Sequence, residues 1–312
     1  MLLIFSALVP VFLVIALGVA LRRTLLPDPV HWVALERLTY FILFPALLVV
    51  SAVKADLARV NIVAVAGALV GAILILSGLI ILFQGGIRSR LAASGPAFTS
   101  LFQGAVRWNT YIVLAVAGGL YGAEGITIAA LALVVMIPLV NIICVLVLAT
   151  YSGQRAPGFR YVAGQIIRNP YIAACVIGAV LNVAHVPVPA VVLEFIDILG
   201  RASLAVGLLV VGGGLALRQM TRLKPIVMAT LGLKLLVKPV IAIALAVLFG
   251  VTGAELVVVA VAAAVPAAPG GYVLARQMGG DAPLMAEILT MQIIAAAVTL
   301  PIVVAIASHL AA

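Results

Sequence analysis

The sequence predicts an all-α polytopic membrane protein, with ten transmembrane helices arranged as two inverted five-helix repeats. Three observations carry this expectation. First, 66% of the 312 residues are hydrophobic and 9% are charged, against about 25% charged in a soluble domain. At roughly 20 apolar residues per span, the chain has room for about ten spans. Second, Lys and Arg are crowded into alternate connections between apolar runs. Third, two stretches about 160 residues apart share their residue spacings.

The spans fall near 2–21, 35–53, 61–83, 97–120, 125–149, 165–184, 190–217, 225–250, 255–277 and 283–308. The first run lacks a basic leading region and ends in Arg22-Arg23. It is too long for a signal-peptide core and reads as a span. One set of connections holds Arg22, Arg23, Arg37, Arg88, Arg90, Arg155, Arg160, Arg168, Arg218, Arg222, Lys224 and Arg276; the alternate set holds only Lys54 and Arg59. Basic residues near spans stay in the cytoplasm. Both termini are therefore expected on the outer, periplasmic side of the cell's inner membrane. The net charge of +9 is scattered singly and in pairs, which sets orientation and excludes a nucleic-acid surface.

Residues 1–154 and 155–312 form the two expected repeats of a single membrane domain. Pro10, Gly18 and Leu21 recur as Pro170, Gly178 and Leu181. Tyr111 with Gly118-Gly119 recurs as Tyr272 with Gly279-Gly280, and Pro138-Leu-Val as Pro301-Ile-Val. The offsets are 160, 161 and 163 residues. Five spans per copy is an odd number, so the second copy enters the membrane upside down. Inverted repeats of this kind place a site near the midplane, where they meet.

Chemistry-bearing residues gather in the middle of spans four and nine. Span four carries Gln103, Arg107, Asn109 and Thr110 amid apolar residues, and span nine carries Pro266, Pro269, Gly270 and Gly271. A proline inside a helix removes a backbone hydrogen bond and clashes with the preceding turn. In lipid, freed backbone groups survive only against protein or a cavity. Both spans are expected to break there. Asn109 or Thr110 then caps one half-helix, and Gly270-Gly271 opens the other. Half-helix N-termini facing the midplane attract an anion, and a carboxylate fits them.

The same stretches resemble the auxin efflux carrier family of secondary transporters, which includes plant auxin carriers and bacterial malonate and malate carriers. The matching pieces are Arg107-Trp-Asn109-Thr110 with Gly122-Ala-Glu124-Gly125, Asn141, Lys234 ahead of Pro239, and Ala264-Val-Pro266 through Tyr272-Val-Leu-Ala275. The resemblance implies crossing broken helices at spans four and nine, with Asn109 at the substrate carboxylate and Pro266 at the crossing. It also implies a scaffold of spans 1, 2, 6 and 7 and a moving part of spans 3–5 and 8–10. Gly270-Gly271 departs from the polar residues some relatives carry.

Other polar residues have two readings each. Lys234 and Lys238 lie four apart in span eight, where a midplane Lys costs roughly 2.5–3.5 kcal/mol on insertion scales. They either draw an anion into a cavity, or pair with Glu194 or Asp197, or are solvated in the inner vestibule. Arg107 either meets the anion or the carbonyls freed by the break. Gln292 in span ten is placed to line the cavity, and Glu287 near the cytoplasmic end. Asp197 and Arg201 read as a structural i,i+4 pair, Asn141 as an inter-helix hydrogen bond, Gly212-Gly213-Gly214 as close helix packing, and Trp32 and Tyr40 as interface anchors.

No cofactor or metal is expected. His31, His185 and His309 share no ligand spacing, and Cys144 and Cys175 sit in apolar runs. No nucleophile–base or phosphate-cradling motif points to an enzyme. The expected role is transport of a small organic anion, a dicarboxylate or an aromatic monocarboxylate. The lipid bilayer is its other partner, and the scaffold helices leave room for a homodimer. A sodium-coupled symporter of the bile acid carrier type is the alternative.

Overall fold

The computed structural model describes residues 2–54, 61–152, 168–215, 217 and 224–311. These residues form helices α1 (Leu2–Arg23), α2 (Pro29–Lys54), α3 (Ile62–Leu82), α4 (Gln84–Arg90), α5 (Gly95–Val106), α6 (Thr110–Tyr151), α7 (Pro170–Val183), α8 (Ala190–Gly213), α9 (Pro225–Leu248), α10 (Gly253–Ala264), α11 (Gly270–Gln277) and α12 (Ala282–Leu310). No strand occurs among them. Seven helices of the described residues are long and apolar enough to cross a membrane, with Pro170–Val183 and Gly253–Ala264 as shorter apolar helices. The protein is thus an all-α polytopic membrane protein. Arg59, Arg155, Arg160, Arg218 and Arg222, used above for orientation, and the boundary at 154–155 lie outside the described residues.

Several boundaries differ from the sequence reading for local reasons. α2 starts at Pro29 because Asp28 accepts from the Val30 N–H at 2.8 Å and Pro29 needs no partner at the first helical position. Span four becomes α5, a break, and the first part of α6; α6 itself is two helices joined at a kink at Gly122 (φ +57°), between the expected end of span four and start of span five. Only glycine adopts that conformation without strain. α8 ends at Gly213, short of the expected 217.

Two π turns interrupt the long helices, at Thr39–Leu43 in α2 and Leu233–Val237 in α9. Each ends two residues before a proline, Pro45 or Pro239. A proline ring would strike the carbonyl four residues back. The turn widens instead: Phe44 N–H bonds Thr39 O, and Lys238 N–H bonds Leu233 O. The sequence therefore sets the register of everything after each turn.

The chain divides into two compact units: residues 1–61, 111–134 and 163–214, and residues 62–110, 135–162 and 215–312. In the first unit α1 packs on α8 and α7 on α2. Glycines make both contacts possible: Gly18 and Gly212 face the backbones of Leu209 and Ile15, while a Cβ at Gly178 would lie 2.6 Å from Ala52 Cβ. Lipid tails are as apolar as leucine, so close packing of small residues holds such helices together. Gly213 takes the Trp32 ring against it, and the indole N–H donates to Leu26 O at 2.8 Å. Trp32 is therefore a core residue, contrary to the expectation of an interface anchor. Phe44 stacks on Tyr111 at 4.6 Å, and Tyr40 lies 4.9 Å from Tyr171. Asn182 donates to Ala52 O and Val53 O at 3.1 and 2.8 Å, satisfying the end of α2. Asp197 pairs with Arg201, as expected, and lies 3.9 Å from Lys54.

The second unit is built around α10. Leu256 to Val265 are each at most 1% exposed, as an all-round apolar helix should be. α3, α9 and α12 surround it. Gly71 admits Leu245 of α9 against α3. Outward residues such as Val63, Leu82 and Val240 are exposed and apolar, which suits a lipid surface. Asn141 makes no side-chain hydrogen bond among the described residues, so its expected inter-helix bond is not formed there.

Candidate functional site

Both predicted breaks are present, and they share one plan. α5 and α10 are each 12 residues long. Each is followed by an extended residue: Arg107 at φ −64°, ψ 162° and Val265 at φ −63°, ψ 150°. The unwound residues are 107–109 in the first break and 265–269 in the second. α6 and α11 then begin at Thr110 and Gly270.

The last carbonyls of a helix lack intrahelical partners. Here buried side chains supply them. Lys238 Nζ donates to Val106 O at 2.6 Å, and Lys234 Nζ to Ala263 O at 3.2 Å. Gln292 spans the two breaks: its Nε2 donates to Gly104 O at 2.9 Å, and its Oε1 accepts the Ala267 N–H at 2.9 Å. Lys234, Lys238 and Gln292 are fully buried. The lysines thus meet backbone carbonyls, and neither expected acidic partner is theirs.

Arg107 directly follows Val106, whose carbonyl Lys238 binds. It is 8% exposed, and its Nε donates to Gln103 Oε1 at 3.1 Å. The side chain runs past the start of α11: a Cβ at Gly271 would lie 3.2 Å from Arg107 Cδ, and one at Gly270 3.9 Å from Nη1. No ion pair neutralises Arg107 among the described residues. The Gly271 and Tyr272 N–H groups turn back to Ala268 O and Pro269 O at 3.0 and 2.9 Å. Two of the donors expected at the start of α11 are therefore already engaged, which leaves Arg107 as the main positive feature there.

Asn109 is buried at the entrance to α6, next to half-buried Thr110. Pro266 is buried, Pro269 half-buried and Gly270 exposed. Arg107, Pro266, Pro269, Gly270, Gly271, Lys234, Lys238 and Gln292 all belong to the second unit, with Asn109 and Thr110 at its boundary. Gln103 was passed over as a site residue, although its i,i+4 spacing to Arg107 was readable; its Nε2 is buried without a partner among the described residues. Glu287, 4% exposed, pairs with Lys224 at 2.6 Å. A cavity of about 500 Å³ lies elsewhere, lined by apolar residues of α9 and α12 such as Pro239, Ile243 and Ile302. Its lining carries no charge, and Thr299 is its one polar residue.

An ionisable side chain buried within a span marks a functional site, and broken helices line the sites of many membrane carriers. The chain matches the membrane transport protein family over residues 3–304 and belongs to it; this is the auxin efflux carrier family. A comparison with curated proteins finds no match.

Proposed function

We propose that this protein carries a small organic anion, a carboxylate, across the cytoplasmic membrane by alternating access. In this reading the chain forms ten spans in two inverted repeats, with both termini outward. Spans 1, 2, 6 and 7 are the scaffold, and spans 3–5 and 8–10 carry the substrate. The equal lengths and matching ends of α5 and α10 support the repeats. The observation that carries the anion assignment is Arg107, buried beside Gly270-Gly271 with no acidic partner among the described residues. A charge so placed is costly without a counter-ion, and a substrate carboxylate supplies one. The unpartnered Gln103 Nε2 and buried Asn109 add polar groups of the kind that fix orientation.

The test is thermal unfolding of the purified protein with malonate, malate, citrate, acetate, indole-3-acetate or a bile acid. A ligand that binds only the folded state raises the melting temperature by mass action. A carboxylate shift is expected in the wild type and absent in Arg107→Gln and Asn109→Ala. Cooperative melting with no shift for any anion refutes the assignment.

A further inference from the structure

We infer that Lys234 and Lys238 are positioning residues whose ammonium groups act as tethered cations at the C-terminal ends of α5 and α10, where a cation-coupled carrier would hold a metal ion. The inference rests on the geometry of the breaks and does not require the carboxylate reading.

Each helix end gathers a partial negative charge and carbonyls without intrahelical partners. In carriers with broken helices these ends and the unwound carbonyls coordinate sodium or protons. In this protein both ends are sealed from solvent, since Val106, Ala263 and Ala264 are 0% exposed. Lys238 Nζ sits 2.6 Å from Val106 O and Lys234 Nζ 3.2 Å from Ala263 O. Both lysines are 0% exposed, and the acidic ion-pair partners among the described residues go to Lys54, Arg201 and Lys224 instead. Each Nζ therefore has a helix-end carbonyl as its partner, and each helix end has an Nζ.

The π turn at Leu233–Val237 holds Lys234 and ends immediately before Lys238. π turns are rare and concentrate at functional sites, and Pro239 fixes this one in place. A cation covalently attached to α9 cannot dissociate during the transport cycle. The helix ends are then neutralised in every conformation the second unit keeps intact, with no call on an external ion.

The experiment uses the full chain in detergent with no organic anion added, so a failure of the carboxylate reading leaves it interpretable. Thermal unfolding is measured in sodium, potassium, methylammonium and choline chloride at one ionic strength. The wild type is expected to melt at the same temperature in all four. Lys238→Ala is expected to melt lower in choline and to recover, saturably, with methylammonium or sodium. At about ten times its dissociation constant the rescuing cation raises the melting temperature by a few degrees. A purely structural lysine would give the loss without the rescue. Lys234→Ala takes the same titration and decides the matter if Lys238→Ala does not fold. The inference is overturned if sodium stabilises the wild type over choline, or if the folded variants ignore every cation.

Discussion

Replacing Gln292 with leucine removes both hydrogen bonds that join the two breaks. The volume is nearly conserved, so the loss is chiefly polar. Gly104 O and Ala267 N–H are left in a fully buried place. Each buried backbone group stripped of its partner costs about 1–3 kcal/mol. Side-chain hydrogen bonds inside membrane proteins average nearer 0.6 kcal/mol. Two such groups therefore bracket the cost between about 1 and 6 kcal/mol, and the low membrane average points to about 2. At roughly 2 °C per kcal/mol for a chain this large, the melting temperature should fall by about 4 °C. Gln292→Glu gives the direction of each contact: its carboxylate keeps the acceptor for Ala267 N–H and loses the donor to Gly104 O. Hydrogen exchange at Ala267 reads the second bond directly, and should accelerate in Gln292→Leu but not in Gln292→Glu. A Gln292→Leu protein with unchanged melting and unchanged exchange at Ala267 would refute the bridge.

Gly271→Ala should abolish the anion-induced stabilisation, because the new methyl group would meet Met285 Cε at 2.5 Å and Arg107 Cδ at 3.2 Å; adding Met285→Ala should restore part of it, as measured by the same thermal shifts. Lys224→Ala should destabilise by about 1 kcal/mol, since Lys224 is half exposed while Glu287 is not. Glu287→Gln in that background should recover most of the loss, and a double variant no better than Lys224→Ala would argue against the pair.

The breaks were legible because proline and glycine act on the backbone wherever they stand. Pro266, Pro269 and Gly270-Gly271 interrupt span nine by covalent geometry, and the polar run from Gln103 to Thr110 marks span four by its cost in lipid. The tight pairing at Gly212 was legible too, because small residues permit close approach. The destinations of Lys234, Lys238 and Gln292 were not. Sequence spacing puts Lys234 and Lys238 on one face of a helix. It cannot say that one ammonium reaches a carbonyl 132 residues away. Trp32 was misplaced for a related reason: its partner, Gly213, is far along the chain and has no side chain to advertise the contact. The start of α2 was readable from Asp28-Pro29, an N-cap followed by a proline at the first helical position, and was missed by weighing hydropathy alone.

The asymmetry of the stitching has a consequence for biogenesis. Both breaks have the same backbone plan, yet Lys234, Lys238 and Gln292 all come from the second half of the chain. The carbonyls of Gly104 and Val106 leave the ribosome long before their donors, 188 and 132 residues ahead of them. At about 5–20 residues per second, that interval lasts roughly ten to thirty seconds. During it α5 ends in the membrane without the side chains that complete it, so the first break is finished only when the second half of the chain has been made.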